Sequence, residues 1–304
     1  MGGNARMSQG PTDALPAANT MLVLSGCALF GAVAGAVGSF VLARRRALLA
    51  DVAAHASLPG VCLAFLAGEA LGVGGRTAWL LLAGGAATAL LATWCVPQLA
   101  RLRGVGPDGA LAVSLSFFFG LGAVLLSAIQ SHDSAAQGGL NHLLFGSAAA
   151  TTRSDLVMLA VLAAAAIAVV ALLFKEFAAI AFDEAHARVL GLPVRTMDIA
   201  LLALLVSTVV AGMQVAGIVL VVSMIIAPAA TARLLRGSMP RVVCTAALLG
   251  AGSAIAGVLL SLRYESLPTG SAMTLCAGAA FLAALPLAPL LVPRAGAPAG
   301  GATP

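Results

Sequence analysis

Nine runs of apolar residues, separated by short polar connections, dominate this sequence. An α-helix needs about 20 apolar residues to cross the hydrocarbon core of a bilayer, and most of the runs have that length. Charged residues make up only 9% of the 304-residue chain, against about 25% in soluble domains. The pattern therefore predicts a polytopic membrane protein. The runs fall at about 20–43, 47–67, 77–97, 109–129, 155–174, 197–215, 217–232, 242–262 and 271–292.

The secondary structure of these runs follows from their lack of alternation. The stretch from Leu159 to Leu173 is continuously apolar, whereas the strands of a membrane β-barrel alternate polar and apolar residues. Only helices and closed barrels satisfy every backbone polar group inside a bilayer. We therefore expect an all-α bundle of about nine transmembrane helices at 20–293, flanked by disordered tails at 1–19 and 294–304.

The basic residues predict the orientation of the bundle. With the N-terminus outside, twelve of the 16 lysines and arginines fall on the cytoplasmic side and four on the opposite side. Cytoplasmic loops of membrane proteins carry an excess of basic residues, so we expect the N-terminus outside and the C-terminus inside. The basic residues are scattered between apolar runs and form no basic domain, which excludes nucleic acid as the expected partner.

The seventh run is too short for a complete span. The eleven residues from Gly217 to Ala227 would cross about half of a 30 Å core before Pro228. The run is either a half-helix or a helix that continues as far as Leu235 with a proline kink. Broken helices at membrane depth are tolerated inside a bundle or beside a cavity, so we expect this region to be packed within the protein.

Asp51 and His55 are the first candidates for chemistry. They lie in the second apolar run, directly after an arginine triplet, and the i, i+4 spacing places both side chains on one helix face. An ionisable residue within a span is costly to insert and indicates function, and a carboxylate with an imidazole suits Mn, Fe or Zn. The alternative is that Asp51 pairs with the nearby arginines and His55 is a packing residue.

The connection from residue 175 to 196, the 175–196 segment, is the second informative feature because it is longer than the other connections and predicts its own helix. Asp183 is a good N-cap, Glu184 suits the positive end of the helix dipole, and Gly191 provides a stop signal. A helix of about two turns is marginal alone and must dock on something. Either a soluble cytoplasmic partner or the protein's own bundle is the docking surface.

Motifs for catalysis are missing from the sequence. There is no GxxxxGK[ST], and the single lysine, Lys175, has no glycine loop beside it, so the chain cannot cradle ATP phosphates. We expect neither an enzyme nor a permanently bound cofactor. His132, Asp133 and His142 lie in a predicted outside loop (131–142), where solvated polar residues are favoured over a loose divalent-ion site.

Four segments together carry a resemblance to a known family. They are RRRALLADVAAHASLPGVCLAFL (44–66), FKEFAAIAFDEAHARVLGLPVR (174–195), GMQVAGIVLVVSMIIAPAATARLL (212–235) and, more weakly, ESLPTG (265–270). These segments resemble the membrane permeases of ATP-binding-cassette (ABC) importers for manganese, zinc and iron. The resemblance covers most of residues 20–292.

The resemblance implies a multi-pass permease of the bacterial cytoplasmic membrane whose cargo is a divalent metal ion. It implies a dimer with a second copy or a paralogue, a cytoplasmic ABC ATPase, and an extracytoplasmic metal-binding protein. Asp51 and His55 match the metal pathway of the family. Residues of the 175–196 segment match its ATPase-coupling element, namely Phe182, Asp183, Glu184, His186, Arg188 and Gly191.

Two other functions compete with this interpretation. A permease for a metal chelate, such as a siderophore or a corrinoid, shares similar coupling loops but does not need a carboxylate and imidazole pair. A proton-coupled secondary transporter would explain Asp51 and would leave the docking helix without a purpose. A purely structural anchor would leave the intramembrane ionisable residues as an unexplained cost.

Overall fold

The computed structural model describes residues 14–72, 77–132, 153–235, 237–264 and 267–291, and this part of the chain is helical. Eleven helices follow one another along it. They are α1 (Ala14–Ala43), α2 (Ala47–Ala70), α3 (Ala78–Leu99), α4 (Pro107–His132), α5 (Arg153–Leu172), α6 (Phe174–Phe182), α7 (Glu184–Val189), α8 (Val194–Val215), α9 (Ile218–Leu234), α10 (Met239–Arg263) and α11 (Thr269–Leu291).

A helix lies at each of the nine predicted apolar runs, which confirms the all-α polytopic class. Seven helices of the described residues are long and apolar enough to cross a membrane on their own: α1 to α4, α8, α10 and α11. Helix α5 passes the same test together with α6, from which it is bent by 63°. Helix α9 has only 17 residues, fewer than a complete span usually needs. The count of nine complete spans therefore stays a prediction.

The seventh apolar run forms the longer of the two predicted helices, the one that continues past Pro228. Helix α9 begins after Gly217, whose φ of +89° is open to glycine, and continues through Pro228 to Leu234. The half-helix alternative, ending at Ala227, is therefore wrong. Ile218, Met224 and Ile225 of α9 are fully buried, as expected for a helix packed inside the bundle.

Small residues on α1 allow this helix to lie at the centre of the bundle. It packs closely on α10 and also contacts α5, α8 and α9. Gly31 and Gly35 face the backbone of α10, and Gly38 faces the backbone of α9 at Ile225. Large aromatic and sulfur-containing side chains fill the core of the bundle. At most 2% of the surface is exposed in Phe30, Phe40, Met213, Met224 and Met273.

Two boundaries differ from the sequence expectation. Helix α1 starts at Ala14, six residues before the predicted first span, so residues 14–19 are helical. Helix α4 extends to His132, two residues into the predicted loop, a difference of the size usual at helix ends. Asp133 and His142 lie outside the described residues, as do residues 1–13 and 292–304.

A candidate metal-ion pair and a docking segment

Asp51 and His55 lie on α2, one and two turns after the start of this helix. The helix brings Oδ1 of Asp51 to 3.4 Å from Nε2 of His55, as the i, i+4 spacing predicts. The side chains are partly buried, with 39% of Asp51 and 21% of His55 exposed. Both groups are therefore accessible from the surface of the bundle yet shielded on one side.

The separation of these two atoms suits a shared metal ion. Protein ligands bind Zn²⁺ through oxygen or nitrogen at about 2.0–2.2 Å. For two ligand atoms 3.4 Å apart, that distance corresponds to a ligand–metal–ligand angle of about 105°. Tetrahedral coordination requires a similar angle. Within the described residues no cluster of three or more His, Cys, Asp and Glu side chains accompanies the pair. The pair by itself could offer an ion two ligands, which are too few for a closed tetrahedral site.

Phe119 of α4 borders the pair. Its ring meets the imidazole of His55 edge to face, with the centroids 5.0 Å apart and the planes inclined by 81°. Such contacts restrict ring orientation and are worth about 0.5–1.5 kcal/mol. Phe119 therefore limits rotation of the His55 ring on the side that faces α4.

The arginines before α2 do not neutralise Asp51. Arg44 Nη2 lies 2.8 Å from Oδ1 of Asp198, and Arg46 Nη2 lies 2.7 Å from Oδ2 of the same carboxylate. Asp198 belongs to the first turns of α8. In the described structure Arg44 and Arg46 therefore pair with Asp198, and the ion pair of Asp51 is with His55.

Arg44 also holds the 175–196 segment. Its Nη1 donates to the carbonyl oxygen of Ile180 at 3.0 Å, and its Nη2 lies 3.0 Å from Oε2 of Glu184. The Phe40 ring on the preceding turn of α1 packs against Phe174 and Phe177 of α6, with centroid distances of 5.7 and 5.5 Å. The end of α1 therefore anchors this segment through both charged and aromatic contacts.

The predicted caps of the segment's helix are confirmed. Oδ1 of Asp183 accepts hydrogen bonds from the backbone N–H groups of Ala185 and His186, at 2.9 and 3.0 Å. At the other end Gly191 has a φ of +77°, and the N–H of Leu192 donates to the carbonyl of Ala187. This is the Schellman arrangement that glycine favours. The segment also contains α6, which the sequence did not separate from the loop.

Helix α7 has one buried face and one exposed face. Ala187 packs with Ile180 and Val194 in a small apolar cluster beneath the segment. On α7 Val189 is 85% exposed, and Leu190, His186 and Arg188 are also exposed; Phe182, the last residue of α6, is 88% exposed. The bundle therefore provides one docking surface for the segment, and a second apolar surface is left uncovered in the described structure.

The charges around Glu184 act on its ionisation. Partial burial raises the pKa of this carboxyl, but the guanidinium groups of Arg44 and Arg188, which also hydrogen-bond to it, outweigh burial, so the pKa lies below its usual value. Glu184 forms an i, i+4 ion pair with Arg188 in addition to the pair with Arg44. It is thus ionised at neutral pH and joins α7 to the end of α1.

Sequence reasoning missed Asp198, Val189 and Leu190. Asp198 is an acidic residue near the start of the sixth apolar run, and the rule that singled out Asp51 applies to it equally. Val189 and Leu190 were part of the proposed segment, but exposure of an apolar side chain is not visible in a sequence. Sequence reasoning also left open which carboxylates Arg44 and Arg46 would meet.

The fold and these features define a multi-pass helical membrane protein with an ionisable pair on its second helix and a docked segment between α5 and α8. The chain belongs to the ABC 3 transport family, whose model matches residues 18–288.

Relatives and a solved structure agree with this membership. The chain is 40% identical over 271 residues to the manganese transport system membrane protein MntC of Bacillus subtilis strain 168, covering 89% of this chain and 61% of that protein. It is 33% identical to the zinc transport system membrane protein TroC of Treponema pallidum strain Nichols, covering 88% of each. The structure of PsaBC from Streptococcus pneumoniae in complex with Fab superposes with a TM-score of 0.76 at 30% identity, covering 87% of this chain and 90% of that one.

Proposed function

We propose that this chain is the permease subunit of an ABC importer that moves divalent metal ions into the cytoplasm. The single observation that carries the proposal is the Asp51 and His55 pair, whose ligand atoms stand 3.4 Å apart on an apolar helix. The manganese and zinc transport relatives support a bare divalent ion as the cargo, rather than a chelate. Mn, Fe and Zn all accept oxygen and nitrogen ligands, so the pair suits each of them.

The pair provides part of a coordination shell. An entering ion exchanges some of its hydration water for the carboxylate of Asp51 and the imidazole of His55, while water keeps the remaining positions. A second copy or a paralogue facing the same pathway would raise the number of protein ligands to four. The exposed apolar surface of α4, including Phe117 and Val124, is available for such a dimer or for lipid.

The orientation that we propose places the N-terminus outside and the C-terminus inside. The twelve-to-four distribution of basic residues supports it. It puts the turn between α1 and α2, the 175–196 segment and the start of α8 on the cytoplasmic side. Single cysteines at Gly104, Arg188 and Gly237 should then react with an impermeant maleimide only in inverted vesicles, and cysteines at Asn19 and Gly138 only in intact cells.

The exposed face of the 175–196 segment is the proposed contact with a cytoplasmic ABC ATPase. Connections outside the lipid rarely expose several large apolar side chains, and apolar patches of this kind mark interaction sites. Phe182, Val189 and Leu190 supply exposed apolar side chains. Arg188 adds an exposed charge to the same segment. An extracytoplasmic metal-binding protein would deliver the ion at the opposite end of the bundle.

The metal pathway is tested by uptake of radioactive manganese or zinc into cells that contain the whole importer. Asp51→Asn and His55→Gln preserve side-chain size and remove a ligand, so each should lower uptake at least tenfold at matched protein levels. Glu69→Gln changes a carboxylate at the other end of α2 and is the matched control, with uptake near that of the unmodified protein. Unchanged uptake by both ligand variants would rule out the pathway, and uptake restricted to chelated metal would favour the chelate permease.

The ATPase contact is tested by co-purification. Phe182→Ala and Val189→Ala should lower recovery of the ATPase with the permease several-fold, because they remove the apolar contact surface without touching the bundle. Leu102→Ala removes an exposed apolar side chain from another connection and serves as the control. Equal recovery from all three variants would contradict a docking role for this face.

A further inference from the structure

We propose that Asp198 and its two arginines, Arg44 and Arg46, form a clamp that carries movement of the 175–196 segment to helix α2 and its Asp51 and His55 pair. The inference rests on the proposed function and adds positioning residues to it. It assigns a role to three charged side chains that touch neither the candidate metal ligands nor the exposed docking face.

The clamp is joined to the 175–196 segment through Arg44. Only 8% of this side chain is exposed, and its guanidinium reaches three different parts of the chain. It donates to the carbonyl of Ile180 at the end of α6, pairs with Glu184 at the start of α7, and pairs with Asp198 in α8. A displacement of α7 therefore changes the surroundings of Arg44 directly.

The clamp is joined to α2 through Arg46. Each oxygen of Asp198 accepts from a different arginine, so the carboxylate bridges the first residue after α1 and the last residue before α2. Arg45 between them has a φ of +54°, and the N–H of Arg46 donates to the carbonyl of Val41. This sharp turn lets Arg44 and Arg46 approach the same carboxylate.

The clamp lies close to the candidate metal ligands along one continuous helix. Asp51 is five residues and His55 nine residues beyond Arg46, which at a rise of about 1.5 Å per residue corresponds to about 7.5 and 13.5 Å along the helix axis. Helix α2 is unbroken from Ala47 to Ala70 and most of it is buried among its neighbours. A tilt imposed at its first residue is therefore transmitted to the ligand pair.

The clamp is not the only contact that docks the segment. Ile180, Ala187 and Val194 form an apolar cluster, and Phe40 packs on α6. Arg44 is buried, and burying a charge costs desolvation energy that an apolar residue would not, so its presence favours a requirement for defined geometry over a requirement for stability. Loss of the clamp should therefore leave the segment docked and the importer assembled while the link to α2 is weakened.

The experiment uses the complete importer in proteoliposomes, with the metal-binding protein and manganese as the probe. Asp198→Asn should lower the metal transported per ATP hydrolysed at least fivefold, with ATPase activity retained. Arg46→Gln should act in the same direction while leaving the Arg44 pair intact, and Arg46→Lys should recover part of the ratio. Arg45→Gln removes an adjacent, exposed arginine and should leave the ratio unchanged.

A normal ratio in Asp198→Asn and Arg46→Gln would overturn the clamp. So would failure of both variants to assemble when Arg45→Gln assembles, since that result would assign the charges a purely structural role. If the unmodified importer moves no metal, the proposed function fails, and the clamp is then tested by hydrogen exchange of the purified permease. The clamp predicts that Asp198→Asn increases exchange in both 183–192 and 47–55. An increase confined to 183–192 would overturn the clamp.

Discussion

Gly31 of α1 and Gly250 of α10 face each other so closely that a Cβ on either residue would overlap the carbonyl oxygen of the other. A Cβ at Gly35 would likewise overlap the carbonyl oxygen of Ala246, one turn before Gly250 along α10. In lipid, small residues at helix contacts are favoured because water is not available to drive apolar association and close backbone approach is the main source of packing energy. The pairing of α1 with α10 therefore depends on the absence of side chains at these positions.

Gly250→Ala should destabilise the bundle, whereas Gly252→Ala on the same helix should not. The first substitution forces α1 and α10 apart and is expected to cost about 1–3 kcal/mol by overpacking. Nothing lies within 4 Å of a Cβ at Gly252, and alanine is the better helix former there. Thermal unfolding of the purified permease in detergent measures both, and equal melting temperatures would show that the close approach is not required.

Gly191→Val should loosen the end of α7. Valine at a φ of +77° is strained by about 1–2 kcal/mol, so the Schellman turn should open and α7 should fray. Hydrogen exchange of residues 184–192 should rise, and recovery of a bound ATPase should fall. Gly191→Asn is the control, because asparagine tolerates the left-handed conformation and should preserve both properties.

Arg45→Gly should stabilise the turn between α1 and α2. Arg45 has a φ of +54°, the left-handed conformation that Gly191 has in the turn after α7. The ion pairs of this turn in the described residues are made by Arg44 and Arg46 and not by the side chain of Arg45. Relief of the strain is expected to add about 0.5–1 kcal/mol, part of it offset by the flexibility of glycine in the unfolded chain. The melting temperature should rise for Arg45→Gly and fall for Arg45→Val.

The docking of α7 should depend on pH through Glu184. The pKa of Glu184 in the folded protein lies below the usual 4.5. Its ion pairs therefore contribute their full stability above about pH 4.5, and this contribution is lost as the pH falls through the folded pKa. Exchange of residues 184–189 should be constant between pH 8 and about 5.5 after correction for intrinsic rates. It should increase below about pH 4.5, and Glu184→Gln should remove that part of the increase. An identical pH profile for the variant would show that Glu184 does not support docking.

The class of protein and the position of most of its helices could be predicted from the amino-acid sequence alone. Apolar runs of about 20 residues cannot be hidden in a soluble domain of this composition, and the backbone in lipid has few alternatives to a helix. Local signals also predicted the caps at Asp183 and Gly191, because an N-cap and a left-handed stop involve residues close in sequence. The i, i+4 relation of Asp51 and His55 follows from helix geometry for the same reason.

Which groups distant in sequence meet depends on how the helices pack, and the sequence did not reveal it. Whether Arg44 and Arg46 pair with Asp51 or with Asp198, some 150 residues away, depends on how α8 packs against the end of α1. The bend of 63° between α5 and α6, the course of α9 beyond Pro228 and the exposure of Phe182 and Val189 depend on the same packing. Local preferences are short in range, whereas these arrangements are set by the shapes and charges of helices that the chain brings together from far apart.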